Sequence, residues 1–232
     1  MAIYSLNHKT VGLTTHPPGN AGAHIRYICR CSTVREVLSN QMPETPLKIA
    51  SWLDKRESEL RKNARMLDKI MVALPIEFTE QERAALAERF VKEITDNKVP
   101  WVIAIHDKGK DARNPHAHIA IHDRNLETGK TVCGLSEMGS TKKIRVLWEQ
   151  VLNEELAAKG LETRVDHRSL KEQGIDRKPT IHVGPKVKAM MDKGIRPESK
   201  NRIDHRGREI RYVEIDQGKT RHEYNQSTDR PE

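Results

Sequence analysis

His106, His116 and His118 fall within thirteen residues in the stretch WVIAIHDKGKDARNPHAHIAIHD. Two alternating apolar runs flank a polar Lys/Gly/Asp/Asn/Pro loop, a pattern that predicts a β-hairpin. Side chains two apart on a strand share a face, so His116 and His118 project together. Closing the hairpin brings His106, at the end of the preceding strand, towards the same spot. Three converging imidazoles form a metal site with coordination positions left open, as metal-assisted catalysis requires. His122, one further i+2 step beyond Ala120, is either a fourth ligand or a supporting or nucleic-acid-contacting group.

A metal site of this kind on a basic chain points to phosphoryl chemistry, in which a bound ion neutralises developing charge. The nucleophile is then water or a side chain. Of four tyrosines, Tyr4 is expected in the core of a first strand, and Tyr212 and Tyr224 lie in a charged tail. Tyr27 differs, standing between Arg26 and Arg30 in AHIRYICR, where two cations could hold phosphates and favour a phenolate. Position alone leaves it open as an ordinary residue of an amphipathic helix.

The elements that must carry these residues can be read around them. A short strand is expected at 2–7, then a Pro/Gly turn, then a helix over 21–38 with Ile25, Ile28 and Cys29 at helical spacing. A charged helix is expected over 46–63, and MLDKIMVALP is expected to be a buried strand. Thr79 and Glu82 form a capping box that opens a third helix. Trp101, Ile103 and Ile105 with Ala117, Ile119 and Ile121 make the face of the hairpin that packs into a core, the imidazoles lining the other. A helix over 141–159 ends at Gly160, and a short one is expected at 187–193. The order predicts an α+β fold, a central antiparallel sheet flanked by helices.

The 232 residues carry a formal net charge of +8, with 32% charged residues, which favours polyanionic partners. No apolar run is long enough to span a bilayer, and the start, MAIYSLNHKT, lacks a signal-peptide core. Three cysteines, Cys29, Cys31 and Cys133, argue against a disulfide framework and for a reducing compartment. Cys29 and Cys31 are read as packing residues. Residues 1–196 are expected to form one domain, and 197–232 a charged, weakly ordered tail or the start of a linker.

Five ordered blocks resemble the MobA/MobL-type mobilisation relaxases, which are HUH endonucleases. They are MAIYSLNHKT, AGAHIRYICR, VALPIEFTEQERAALAERF, IHDKGKDARNPHAHIAI and VDHRSLKEQGIDRKPTIHVGP. The resemblance implies a bacterial, cytoplasmic DNA relaxase with the HUH fold and its histidine motif on adjacent central strands. Tyr27 would attack one phosphodiester at a plasmid transfer origin, leaving a 5′-phosphotyrosyl adduct and a free 3′-hydroxyl. His106, His116 and His118 would hold the ion. Mn²⁺ or Mg²⁺ is expected to support cleavage, although three imidazoles also suit Zn, Ni or Co.

The implied partners are single-stranded origin DNA beside an inverted repeat, relaxosome accessory proteins and a coupling protein. Arg26, Arg30, Lys108, Arg113, Arg168 and Arg177 are candidate DNA contacts, each of which could equally be a solvated surface charge. One departure from the family stands out. Relatives often carry acidic residues on the strand entering A-L-P, where this chain has Lys69 and Met71. Asp68, Glu77 and Asp123 are the nearby carboxylates. Three other readings stay open: an HUH rolling-circle initiator, a metal-dependent hydrolase of small molecules, and a DNA-binding module without chemistry. The chain could also be a fragment of a longer protein.

Overall fold

In a computed structural model the described residues are 3–61, 63–196, 202–203, 206–210 and 221–228. They fall into two compact units, Met1–His167 and Arg168–Glu232. The first unit runs β1 (Leu6–Gly12), α1 (Asn20–Ile28), β2 (Val34–Asn40), α2 (Pro46–Glu59), β3 (Arg65–Ala73), α3 (Glu80–Thr95), β4 (Trp101–His106), β5 (His116–Ile121) and α4 (Ser140–Ala158). Its five strands form one sheet in the order β1-β3-β5-β4-β2. All four strand pairs are antiparallel. The expected α+β class holds, with the two histidine strands adjacent and β5 at the centre.

The sheet is covered on both faces. Trp101, Ile103, Ile105, Ala117, Ile119 and Ile121 pack against Phe90 of α3 and Trp148 of α4 in one cluster. Val102, Ala104 and Ala120 pack against Ile25 and Ile28 of α1 and Ile49 and Leu53 of α2 in a second. The histidine face is therefore itself half core. A strand buried on both faces reads as a near-continuous apolar run, and all six residues of β4 are buried. Alanine at 104 and 120 leaves room for the helices, so the imidazoles are confined to one end of the strands.

Several boundaries move relative to expectation. The first strand begins at Leu6, and Tyr4 precedes it, donating its hydroxyl hydrogen to the Arg145 carbonyl at 3.0 Å. The helix expected over 21–38 stops at Ile28. The Arg30 carbonyl then accepts from the amides of Thr33 and Val34, closing a turn. Residues 34–40 become edge strand β2 because the open backbone edge of β4 takes them up, outweighing the helical spacing. Cys29 is buried as expected, but Cys31 lies past the helix end and is exposed. Burial pushes the Cys29 thiol up to about 11.

Other local signals translate directly. Thr45 caps α2 by accepting from the Lys48 amide, with Pro46 in the first turn. The Thr79–Glu82 capping box makes both reciprocal bonds. Gly160 takes a positive φ of 73° just past α4, where a Cβ would be strained.

The second unit holds α5 (Pro185–Asp192), a two-residue pairing of β6 (Arg202–Ile203) with β7 (Glu209–Ile210), and α6 (Arg221–Gln226). Asn225 bonds the amide and carbonyl of Ile181, each at 2.8 Å. The weakly ordered tail expected at 197–232, with Tyr212, falls largely outside the described residues. No described helix is long and apolar enough to cross a membrane.

Candidate metal centre

Register places the three histidines together. His106 is the direct partner of His116 across the β4–β5 ladder, and His118 faces Ala104. Ring centroids are 5.1 Å apart for His106–His116, 4.7 Å for His106–His118 and 5.1 Å for His116–His118. One ligand nitrogen from each lies within 4.8 Å of the others. His106 is buried, while His116 and His118 are partly exposed, so the cluster opens on one side.

The outer nitrogens of two rings are fixed. A carbonyl can only accept, so His106 carries its hydrogen on Nε2, 2.6 Å from the Ile28 carbonyl. His116 likewise donates from Nδ1 to the Asn114 carbonyl at 2.8 Å. His106 Nδ1 and His116 Nε2 are left as lone-pair donors. Holding the far nitrogen on a backbone carbonyl is how metal-binding imidazoles are commonly oriented. Burial, then repulsion from His106, His116, His24 and Arg30, pushes His118 down to about 3. Burial also lowers His106, opposed by its Ile28 bond. Neutral imidazoles are the form a metal needs, and this donor set fits a divalent transition ion.

Helix α1, which carries Tyr27, ends against this cluster. Its N-terminal half is held from α2: the Gly19 amide donates to Glu57 at 2.5 Å and the Gly22 amide to Asp54 at 3.1 Å. A Cβ at position 22 would come within 2.2 Å of the Asp54 carboxylate and push it out of its bond to the helix. The carbonyl of Ile28, next to Tyr27, receives the His106 bond. The helix bearing the phenol thus ends on an imidazole of the trio. Tyr27 is 56% exposed, and the Arg30 guanidinium sits 4.2 Å above its ring.

The other expected residues are placed as follows. Arg26 pairs with Asp54 at 2.7 Å. Lys108 and Arg113 sit in the loop between the histidine strands, Arg113 exposed and Lys108 partly so. Arg168 and Arg177 belong to the second unit. His122 is a core residue, not a fourth ligand: it is buried, bonds the Met66 carbonyl at 2.8 Å and stands edge-on to Trp52.

The acidic partner is not where the sequence suggested. Asp68 faces the other side, bonding His8 at 2.9 Å. Asp123 accepts the amides of Val132, Cys133 and Leu135 and so fastens a loop. Met71 lies opposite His118, and Lys69 opposite Ala120. The carboxylate that approaches the trio is Asp111, with Oδ2 3.9 Å from His106 Nδ1. Sequence reasoning missed it, although its place in the hairpin loop was the available signal. It also missed His24, pushed down to about 4 by burial, Lys69 and His16. His24 lies three residues before Tyr27, on the same side of α1.

A model of the MobA/MobL family matches residues 33–193. Mobilization protein A of Escherichia coli is 31% identical over 229 residues, an alignment covering 85% of this chain and 32% of that protein. Conjugal transfer protein TraA of Agrobacterium fabrum is 32% identical over 180 residues, covering 64% of this chain and 16% of that protein. The chain thus spans a third or less of the length of these relatives. Among solved structures, a chain from work on the molecular basis of vancomycin resistance transfer in Staphylococcus aureus superposes with a TM-score of 0.58 at 21% identity, over 72% of this chain and 100% of that one.

Proposed function

The chain belongs to the MobA/MobL family, and from that premise we propose that it is the nicking portion of a conjugative DNA relaxase, its catalytic domain lying within residues 1–196. The fold is that of the HUH relaxases. The observation that carries the reading is the bond from His106 to the Ile28 carbonyl, which ties the imidazole cluster to the helix bearing Tyr27. The relatives are named for mobilisation and conjugal transfer, which favours a relaxase over a rolling-circle initiator.

His106, His116 and His118 are the residues that would hold a divalent ion, Mn²⁺ or Mg²⁺ in function, with Zn, Ni or Co as other occupants of the same donor set. Such an ion polarises a bound phosphate and neutralises charge developing on it. Tyr27 Oη attacks the scissile phosphorus. The Oη–P bond forms, the P–O3′ bond breaks, and the phenolic proton is delivered to the departing 3′ oxygen. The products are a 5′-phosphotyrosyl strand and a 3′-hydroxyl. Because the bond energy is kept in the ester, the same site can reseal the strand.

Arg30, stacked on the Tyr27 ring, and Lys108 and Arg113 in the hairpin loop supply positive charge for the phosphates. Arg26, Arg168 and Arg177 are further candidate contacts. The substrate is single-stranded transfer-origin DNA beside an inverted repeat. Accessory proteins, a coupling protein and a bacterial cytoplasmic setting complete the proposal.

The test is covalent trapping. Protein, Mn²⁺ and an origin oligonucleotide should give an adduct that survives denaturation and is absent with Tyr27→Phe. Strand cleavage by Tyr27→Phe at the wild-type rate would refute the assignment.

A further inference from the structure

The sheet carries a second cation-rich feature at the end away from the imidazoles. The start of β3 and the exit of β5 line a cavity of about 320 Å³ with Arg61, Asn63, Arg65, Arg124, Thr131 and Ser136 on its walls. Arg56 belongs to the same end. It lies 4.9 Å over the ring of Trp52, which stands edge-on to His122. Burial lowers the pKa of His122, and Arg56 and Arg124 add to that effect.

Two carboxylates face the cavity, and both are already engaged. Asp68 bonds His8 at 2.9 Å and lies 3.6 Å from Arg65, and Asp123 accepts three backbone amides. By contrast, Arg56, Arg61 and Arg124 enter no ion pair among the described residues. Several other arginines of this unit are neutralised within the fold: Arg26 by Asp54, Arg35 and Arg83 by Asp107, and Arg89 by three glutamates. Beside the two engaged carboxylates the cavity presents three guanidinium groups, two hydroxyls and an amide, and one Arg124 nitrogen is already spent on the Gly129 carbonyl at 2.8 Å. The cavity's ligand is an oxyanion, and guanidinium forks match phosphate in particular.

We propose that this cavity binds a backbone phosphate of the DNA substrate outside the scissile step. The inference rests on the nicking activity proposed above and adds a second anchoring point to it. Met71 faces His118, and Arg65 lies six residues back along β3, so the two sites are about 20 Å apart at roughly 3.3 Å per residue. At the roughly 3.4 Å rise of a stacked strand that separation is about six nucleotides, and fewer where the single strand is extended. A strand held at both points is gripped on one side of the nick by the arginines and at the nick by the imidazole end.

The test compares a long and a short oligonucleotide against Arg61→Ala/Arg124→Ala protein. One oligonucleotide extends at least about twelve nucleotides either side of the nick, and the other spans only about four in all, too short to reach both sites. The long one should bind roughly tenfold more weakly to the variant, and the slope of log affinity against log salt should fall by about 0.7 to 1. The short one should bind both proteins equally, and adduct formation at saturating DNA should be unchanged. Arg61→Lys/Arg124→Lys protein should recover most of the affinity.

Equal losses for both oligonucleotides, or none for either, would overturn the proposal. So would a site that serves free phosphate instead. In that case inorganic phosphate or ATP would raise the melting temperature of the wild type but not the variant, with DNA affinity identical. A wild-type protein that forms no adduct with any DNA would fail the nicking reading itself, a result distinct from all of these.

Discussion

His106 is the residue on which the site turns. One nitrogen is spent on the last carbonyl of α1, and the other keeps the lone pair that the proposed ion would take. Replacing His116 and His118 together with Ala removes two of three donors, so the variant should no longer bind stoichiometric Mn²⁺ by electron paramagnetic resonance. Wild-type affinity in that variant would place the metal elsewhere. Asp111, close to His106, was not among the expected acids Asp68, Glu77 and Asp123, because its carboxylate comes from the loop that closes the hairpin. The imidazoles also set a pH dependence. His118 and His24 are lowered to about 3 and about 4, chiefly by burial, whereas an unfolded imidazole titrates near 6.5. As pH falls through that window the unfolded chain takes up protons that the folded chain refuses, so stability drops with acidity. The melting temperature of metal-free protein should therefore decline steadily from about pH 7 to about pH 4. A flat profile would contradict the burial of these rings.

At the scale of elements, the hairpin was legible because alternation and the polar loop are both local signals. The capping box and Gly160 were legible for the same reason. Strand β2 was not. Its VREVLSN sequence is short and half exposed, and its pairing depends on β4, sixty residues on in the chain. Nor could sequence show that α1 is steered by Asp54 and Glu57 of α2, since those contacts are made only on packing. Another hidden tie is Asp107, which follows His106. Its fully buried carboxylate receives Arg35 from β2 at 2.5 Å and Arg83 from α3 at 3.0 Å. Arg83 also donates to the Pro75 and Ile76 carbonyls, locking the turn after β3. Asp107→Ala would leave Arg83 buried without its counter-charge, and should cost about 3 kcal/mol in a urea unfolding experiment. Arg35→Ala should cost clearly less, because Arg35 is partly solvated and Asp107 keeps Arg83. Equal losses would contradict this division.

For the whole molecule, the two apolar layers either side of the sheet leave its ends as the places where polar chemistry can be built. One end carries the imidazoles, Asp111 and the C-terminus of α1; the other carries the arginine-lined cavity. The net charge of +8 signalled a polyanionic partner but not where the charge would gather, since that depends on which arginines the fold neutralises. The most direct measurement is peptide mapping by mass spectrometry of the covalent protein–DNA adduct. The nucleotide should be found on the peptide containing Tyr27, and on no other. Attachment at Tyr4, Tyr224, a histidine or any other side chain would contradict the account.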